Sequence, residues 1–172
     1  LMLATALITS AIAPAAAPAI VVNAPAGALE GQVDGGIRKF LGIPYVRPPI
    51  GDLRWRAPEP LAKWRGIRPA KEFGPACFQP VIPGSVYSRA EPLPMSEDCL
   101  TLNVWAPARA RKAPVLVWIH GGALLTGSSR EEMYDGRKFA ERGLVVVSIN
   151  YRLGALGWLA HPQLSSENKD RV

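Results

Sequence analysis

The sequence has few of the residues on which metal-dependent or disulfide-dependent scaffolds rest. Among its 172 residues, only two are cysteine (Cys77 and Cys99) and only two are histidine (His120 and His161). Two cysteines are too few for a zinc ribbon or a multiply bridged small scaffold, although they can form one disulfide. The chain also lacks a Gly-X-Y period and internal repeats, which excludes collagen-like and solenoid proteins. We expect no metal ion and no cofactor.

The composition that remains is that of a folded, loop-rich domain. Hydrophobic residues make up 48% and charged residues 20% of the chain, which excludes an intrinsically disordered protein. Glycine (16) and proline (17) are both abundant. The net charge of +6 permits weak association with anionic surfaces. The basic clusters at 63–71 and 109–112 lack regularly interleaved aromatic residues, so we expect no nucleic-acid partner.

Residues 1–19 differ from the rest of the chain. They are apolar, rich in alanine, and the first charge of the chain is Glu30. Small residues at alternate positions are typical of a signal-peptide cleavage site, and Pro14 and Pro18 interrupt any membrane-spanning helix. We predict that 1–19 is a signal peptide, incomplete at its start, and that 20–172 belongs to one domain. Retention of this segment as an anchor is the alternative. The protein would then be secreted or periplasmic, without stable membrane insertion after cleavage.

Apolar, β-branched runs bounded by turn residues predict the strands. Short strands are expected at 19–23, 27–33 and 37–40, with Asp34-Gly35-Gly36 as a hairpin turn. Further strands are expected at 100–105, 115–119 and 144–150, the last two buried and parallel. Residues 130–142 have helical composition, and with their flanking strands they predict a βαβ unit. Aromatic residues in the proline-rich stretch 44–94 are expected to anchor the core: Trp55, Trp64, Phe73, Phe78 and Tyr87.

A glycine-rich loop follows the predicted strand 115–119. It reads His120-Gly-Gly-Ala-Leu-Leu-Thr-Gly127-Ser128, and glycines at such a position let the backbone approach a ligand with its N–H groups turned outward. Three interpretations are open. A phosphate-binding loop fits the spacing of Gly122 and Gly127 but requires lysine where Ser128 stands. An oxyanion hole for acyl transfer needs only the backbone donors. A tight turn would also require glycine.

Four motifs in order along the chain carry a family resemblance. They are Phe40-Leu-Gly-Ile-Pro-Tyr45 with Pro48-Pro-Ile-Gly-Asp-Leu-Arg54-Trp-Arg56, then Ser96-Glu-Asp-Cys99-Leu-Thr-Leu-Asn-Val-Trp105, the His120-Gly-Gly loop, and Val147-Ser-Ile-Asn-Tyr151-Arg-Leu-Gly154. Together they resemble the type-B carboxylesterases, the carboxylesterase and cholinesterase family of α/β-hydrolases, over residues 27–164. The resemblance implies an α/β protein of the α/β-hydrolase fold, represented by the N-terminal β-hairpin region and the first strands of the central mixed sheet. It also implies hydrolysis of small-molecule carboxylic esters through an acyl-enzyme, using a Ser–acid–His triad.

The sequence contains no Gly-x-Ser-x-Gly, the pentapeptide that carries the nucleophile of an α/β-hydrolase. Both histidines precede the place where the family has this elbow. We therefore expect the chain to be an N-terminal part, truncated before the nucleophile elbow and inactive alone. A triad of His120, Asp135 and Ser148 is disfavoured because these residues lie on one local βαβ unit. The alternative function is a non-catalytic, cholinesterase-like adhesion or binding module, since the fold also serves that role.

The resemblance assigns roles to residues of the glycine-rich loop. The backbone N–H groups of Gly122 and Ala123 would be oxyanion-hole donors, with Gly121 part of the same loop. Many family members have a third glycine where Ala123 stands, but alanine keeps the N–H. Leu124 and Leu125 occupy positions where aromatic residues are common in the family.

The resemblance also implies two structural links. Cys77 and Cys99 match the first disulfide of the family, and Arg54 and Glu97 match a structural salt bridge. In cholinesterases the disulfide loop carries the tryptophan that stacks on quaternary ammonium. Residues 78–98 contain no tryptophan, so we do not expect a choline-ester specialist.

Overall fold

A computed structural model of the protein describes residues 17–83 and 93–167. Their largest feature is a mixed sheet with the strand order β1-β2-β3-β7-β9-β8, in which the short β4 also pairs with β2. A second, two-stranded sheet joins β5 to β6. The strands are β1 (Ala19–Ala24), β2 (Gly27–Asp34), β3 (Ile37–Pro44), β4 (Ile67–Pro69), β5 (Ala76–Cys77), β6 (Met95–Ser96), β7 (Thr101–Pro107), β8 (Val115–Ile119) and β9 (Val145–Ile149).

The first three strands form an antiparallel meander. The predicted hairpin is confirmed: Asp34 pairs with Ile37, and the two residues between them, Gly35 and Gly36, have φ angles of 56° and 78°. Two successive positive φ angles suit a tight hairpin turn and favour glycine at both positions. β3 then pairs with β7, with an irregularity in register between Phe40 and Ile43. The meander therefore joins the central strands edge to edge.

The strands β8 and β9 are parallel, as the apolar runs predict, with Val115 paired to Val145 and Ile119 to Ile149. The prediction that β8 is buried is wrong for the described residues. Val117 is 57% exposed and Ile119 is 62% exposed. Within 17–83 and 93–167, β8 is the last strand of the sheet. Side chains project from the faces of a strand, and in those ranges the face that carries Val115, Val117 and Ile119 is left largely uncovered.

The helix predicted over 130–142 is much shorter than expected. A 3₁₀ turn occupies Glu132–Tyr134, and the helix α1 spans Arg137–Ala140. Asp135 leaves the helical region with ψ 116°. Gly136 then packs so closely under Trp105 and Val146 that a Cβ there would lie 2.8 to 2.9 Å from their side chains. The segment follows the surface of the sheet at this point, and this packing prevents one continuous helix.

Two further helices follow β9: α2 (Gly154–Trp158) and α3 (Pro162–Glu167). No helix in the described ranges has the length and apolar character needed to span a membrane. The predicted signal peptide lies mostly outside those ranges, since the structure begins at residue 17.

The core on one side of the sheet is centred on Trp105, which is 1% exposed and packs with Ile37, Leu41, Ala140 and Val146. The expected aromatic anchors have mixed outcomes. Phe73 packs against this cluster, with its ring centroid 6.3 Å from that of Trp105, and Trp64 packs against a second cluster of Leu29, Phe40 and Ala70.

The expectation is wrong for Trp55 and Phe78, which are 43% and 49% exposed. Trp55 lies on the surface in a turn with φ 62° and donates its indole N–H to the carbonyl oxygen of Ala155. Phe78 lies between Cys77 and Gln79, both of which make inward contacts, so its own ring is directed outward. Tyr87 lies outside the described residues.

Candidate active site

The glycine-rich loop begins where β8 ends, at the carboxyl edge that β8 shares with β9. His120, the first residue of the loop, is 3% exposed, and its Nδ1 lies 2.8 Å from the carbonyl oxygen of Gly121. Burial lowers the pKa of His120, opposed by this hydrogen bond and by the charge of Glu131. The ring is therefore neutral at pH 7, and since a carbonyl oxygen can only accept, Nδ1 carries the proton. The imidazole thus fixes the direction of the Gly121 carbonyl.

The next carbonyl of the loop is fixed from the other side. The oxygen of Gly122 accepts hydrogen bonds from the N–H groups of Leu125 and Thr126, each at 3.0 Å. A trans peptide group directs its C=O and its N–H in opposite directions. Holding the carbonyls of Gly121 and Gly122 therefore sets the directions of the N–H groups of Gly122 and Ala123. Neither N–H donates to another residue in the described part of the chain.

The backbone of the loop is unusual in conformation. Gly122 has φ 118°, Ala123 has φ 54° and Leu124 has φ 62°. For residues other than glycine this region is strained, and such strain is concentrated at functional sites. A Cβ on Gly122 would overlap the carbonyl oxygen of Thr126. Glycine at 122 is therefore required by space as well as by conformation.

Two buried asparagines, whose roles the sequence analysis did not predict, connect the loop to other parts of the chain by hydrogen bonds. Asn150 accepts the N–H of Ser129 at 2.8 Å and donates to the carbonyl oxygens of Pro75 and Cys99. Asn103 donates to the hydroxyls of Ser129 and Ser148 at 3.1 and 3.0 Å. The side chains join strands to loops that are distant in sequence, so no local pattern could have indicated them.

The same network argues against the alternative triad. Ser148 has no exposed surface and donates its hydroxyl to the carbonyl oxygen of Ser129. Asp135 accepts the N–H of Arg137. The structure does not join His120, Asp135 and Ser148 by hydrogen bonds within its described ranges, and Ser148 is closed to a substrate.

Both structural links implied by the resemblance have direct contacts. Cys77 and Cys99 form a disulfide with their Cα atoms 5.0 Å apart. Arg54 donates from Nε and from a terminal nitrogen to the two carboxylate oxygens of Glu97, both at 2.6 Å. The hydrogen bond from Arg54 holds the pKa of Glu97 below its ordinary value. In the described parts of the chain, no group of three or more His, Cys, Asp or Glu residues is arranged to hold a metal ion.

Comparison with known proteins identifies relatives of the chain. The model of the carboxylesterase family matches residues 18–168. The chain is 44% identical over 159 residues to fumonisin B1 esterase of Sphingopyxis macrogoltabida, covering 90% of this chain and 28% of that protein. It is 50% identical over 145 residues to phenmedipham hydrolase of Pseudarthrobacter oxydans, covering 81% and 29%. A solved structure of PNB esterase superposes with a TM-score of 0.78 at 41% identity, covering 83% of this chain and 30% of that one.

The chain thus spans somewhat less than a third of the length of these relatives. The matched region contains the whole described sheet, from β1 to β9. The structural match adds the fold, which is the α/β-hydrolase fold. On the family match and these identities, the chain belongs to the carboxylesterase family.

Proposed function

We propose that the protein containing this chain hydrolyses small-molecule carboxylic esters, and that Gly122 and Ala123 supply two backbone donors of its oxyanion hole. The observation that carries the proposal is the pair of N–H groups in a strained loop, each directed by a fixed carbonyl and neither bonded within the described chain. Ala123 is exposed and Gly122 is half-buried, so this part of the loop is open to an acceptor that arrives from outside. An arrangement that leaves two adjacent donors free fits a site whose acceptor arrives with the substrate.

The chemistry that such donors serve is acyl transfer. When a serine oxygen attacks the ester carbonyl carbon, the carbonyl oxygen gains a negative charge and the serine proton passes to a histidine. Two N–H groups about 2.7 to 3.1 Å from that oxygen stabilise the charge as it forms. We propose that the serine, the acid and the histidine of this mechanism lie outside residues 1–172, because the sequence contains no Gly-x-Ser-x-Gly. This chain contributes the rigid donors and the sheet edge that supports them.

The side chains of the loop favour an ester with an apolar part. Leu124 and Leu125, adjacent to the donors, are 42% and 51% exposed. We propose that an apolar group of the ester packs against these leucines.

We also propose that the protein is exported, with 1–19 as a cleaved signal peptide and no stable insertion in a membrane afterwards. The disulfide between Cys77 and Cys99 supports this location, because structural disulfides persist in oxidising compartments.

The test uses the complete product of the gene that contains this sequence. Hydrolysis of p-nitrophenyl acetate and labelling by a fluorophosphonate probe are measured for the unsubstituted protein and for Gly122→Ala. Alanine at 122 keeps the N–H, but its Cβ would overlap the carbonyl oxygen of Thr126 and displace that donor, so we expect Gly122→Ala to lose about 100- to 1,000-fold in kcat. The matched control is Gly143→Ala, which also places a side chain at a positive φ (94°) but has no atom within 4 Å of the new Cβ.

Two results would contradict the proposal. A folded gene product that neither hydrolyses the ester nor reacts with the probe would favour the non-catalytic binding module. An active enzyme in which Gly122→Ala and Gly143→Ala have the same kcat would leave the ester hydrolase in place and remove the oxyanion role of this loop.

A further inference from the structure

We propose that Gln79, a residue of the disulfide loop, is a positioning residue for the candidate oxyanion loop. The inference rests on the function proposed above. Gln79 lies two residues after Cys77, and its side-chain amide binds both polar groups of the Gly127 backbone: Oε1 accepts the Gly127 N–H at 2.7 Å, and Nε2 donates to the Gly127 carbonyl at 2.9 Å. One side chain thus holds one peptide residue by two hydrogen bonds of opposite direction.

Gly127 is the point at which the loop closes on itself. It is buried and has φ 105°, and a Cβ there would lie 2.5 Å from the carbonyl oxygen of Gly121 and 2.6 Å from Nδ1 of His120. Gly127 therefore packs directly against the hydrogen bond that orients the Gly121–Gly122 peptide group. Since that peptide group carries the proposed donor of Gly122, a displacement of Gly127 would be transmitted to the donor.

The segment that carries Gln79 is held in place by several contacts. Its Nε2 also donates to the carbonyl oxygen of Cys77 at 3.1 Å, which fixes the side chain against its own backbone. Cys77 is buried and bonded to Cys99, and the carbonyl oxygen of Cys99 accepts a hydrogen bond from Asn150. The disulfide loop is therefore linked to the glycine-rich loop on two sides, through Gln79 at Gly127 and through Asn150 at Ser129.

The hydrogen bonds of Gln79 are made to Cys77 and Gly127 rather than to Gly122 or Ala123, so its effect is on the geometry of donors that act in the transition state. A displacement of about 1 Å at a reacting centre costs up to about 100-fold in rate. We expect Gln79→Met, which keeps the length of the side chain and removes its three hydrogen bonds, to lower kcat for p-nitrophenyl acetate by about 10- to 100-fold. The KM should change by less than about threefold, since ground-state binding does not use these donors.

A second variant separates positioning from folding. Gln79→Glu keeps an acceptor for the Gly127 N–H, but its carboxylate faces the carbonyl oxygens of Gly127 and Cys77. Protonation restores a donor, so the kcat of Gln79→Glu relative to the unsubstituted enzyme should rise as the pH falls from about 8 to about 5. Because kcat is expressed per labelled serine, a loss of folded protein alone would not produce this pH-dependent recovery.

The experiment measures kcat and KM on the complete gene product, with active serines counted by fluorophosphonate labelling to completion. Gln163→Met, at an exposed glutamine of α3, is the control and should keep the unsubstituted kcat. A per-site kcat for Gln79→Met equal to that of Gln163→Met, with no pH-dependent recovery in Gln79→Glu, would overturn the role of Gln79. If that happens while Gly122→Ala is impaired, the proposed function stands. If the unsubstituted protein is inactive, both proposals fail.

Discussion

The hydroxyl of Tyr151 donates a 2.7 Å hydrogen bond to the carbonyl oxygen of His120, and the two rings stack with their centroids 4.4 Å apart. Tyr151 follows β9 and His120 follows β8, and these parallel strands end at the same edge of the sheet. The contact joins the first residue of the glycine-rich loop to the neighbouring strand. It gives the loop a fixed starting point from which the carbonyls of Gly121 and Gly122 are then oriented.

The environment of His120 predicts a pH dependence of stability. Burial lowers the pKa of His120 in the folded protein, while the unfolded value is about 6.5. As the pH falls below about 6.5, the unfolded state binds the proton first, so the free energy of unfolding decreases until the pH is below the folded pKa. Urea unfolding of the gene product between about pH 7.5 and pH 5.5 measures this.

His120→Asn keeps a donor that can reach the Gly121 carbonyl but cannot titrate, so it should flatten this pH dependence. The exposed His161 provides the matched control, and His161→Asn should retain the unsubstituted profile. Equal profiles for His120→Asn and the unsubstituted protein would refute the assignment.

The strain at Ala123 predicts an uncommon stabilising substitution. Ala123 has φ 54°, which costs a residue other than glycine about 1 kcal/mol. Ala123→Gly should therefore raise the free energy of unfolding, by up to about 1 kcal/mol, while it keeps the proposed donor and the activity. Ala155→Gly, at an exposed position in α2, should lower stability by about 0.5 to 1 kcal/mol. If both glycines destabilise the protein to the same extent, Ala123 is not strained in solution.

The disulfide between Cys77 and Cys99 should contribute measurably to the free energy of unfolding. Cys77 and Cys99 are 22 residues apart in sequence, and closing a loop of that size stabilises a folded chain by about 3 kcal/mol on the chain-entropy model. Replacing both cysteines by serine should lower the free energy of unfolding, measured with urea, by this amount. Dithiothreitol should destabilise the unsubstituted protein similarly and leave the serine variant unchanged. Equal unfolding of the two proteins without reductant would contradict the prediction.

One edge of β8 has no neighbouring strand among the residues that the structure describes, which predicts association of the 172-residue chain on its own. Val115, Val117 and Ile119 are each more than half exposed on one face of that strand, and uncovered apolar edges template pairing with other chains. In size-exclusion chromatography the chain should elute at an apparent mass larger than that of the monomer. Val117→Lys should shift it toward the monomer, whereas Val21→Lys, on the opposite edge strand β1, should not. If the unsubstituted chain is monomeric, the β8 edge does not mediate association and the prediction is wrong.

Much of the sheet could be predicted from local sequence, because each strand is a short apolar run between turn residues, as with β8 and β9. The Asp34–Ile37 hairpin is similarly local. The exposure of β8 could not be predicted, since it depends on which elements cover the faces of the strand. The prediction of one helix over 130–142 is wrong because Gly136 packs against Trp105. The two residues are about thirty positions apart in sequence, so local helix propensity does not reflect their contact.

The candidate site also has one part that the sequence predicts and another that it does not. Its glycines are visible as a motif because the loop is continuous in sequence. Gln79, Asn103 and Asn150 are not, because each acts through hydrogen bonds to residues at least 21 positions away. Single amides in otherwise apolar or proline-rich stretches have no spacing that distinguishes them from ordinary surface residues.

The most direct test of the central claim is a crystal structure of the complete gene product after reaction with diethyl p-nitrophenyl phosphate. This reagent leaves a phosphoryl group on an activated serine, and its unesterified oxygen occupies the place of the ester oxyanion. We predict that this oxygen lies about 2.7 to 3.1 Å from the backbone nitrogens of both Gly122 and Ala123. A serine adduct whose oxygen is out of hydrogen-bond distance of both nitrogens would contradict the account.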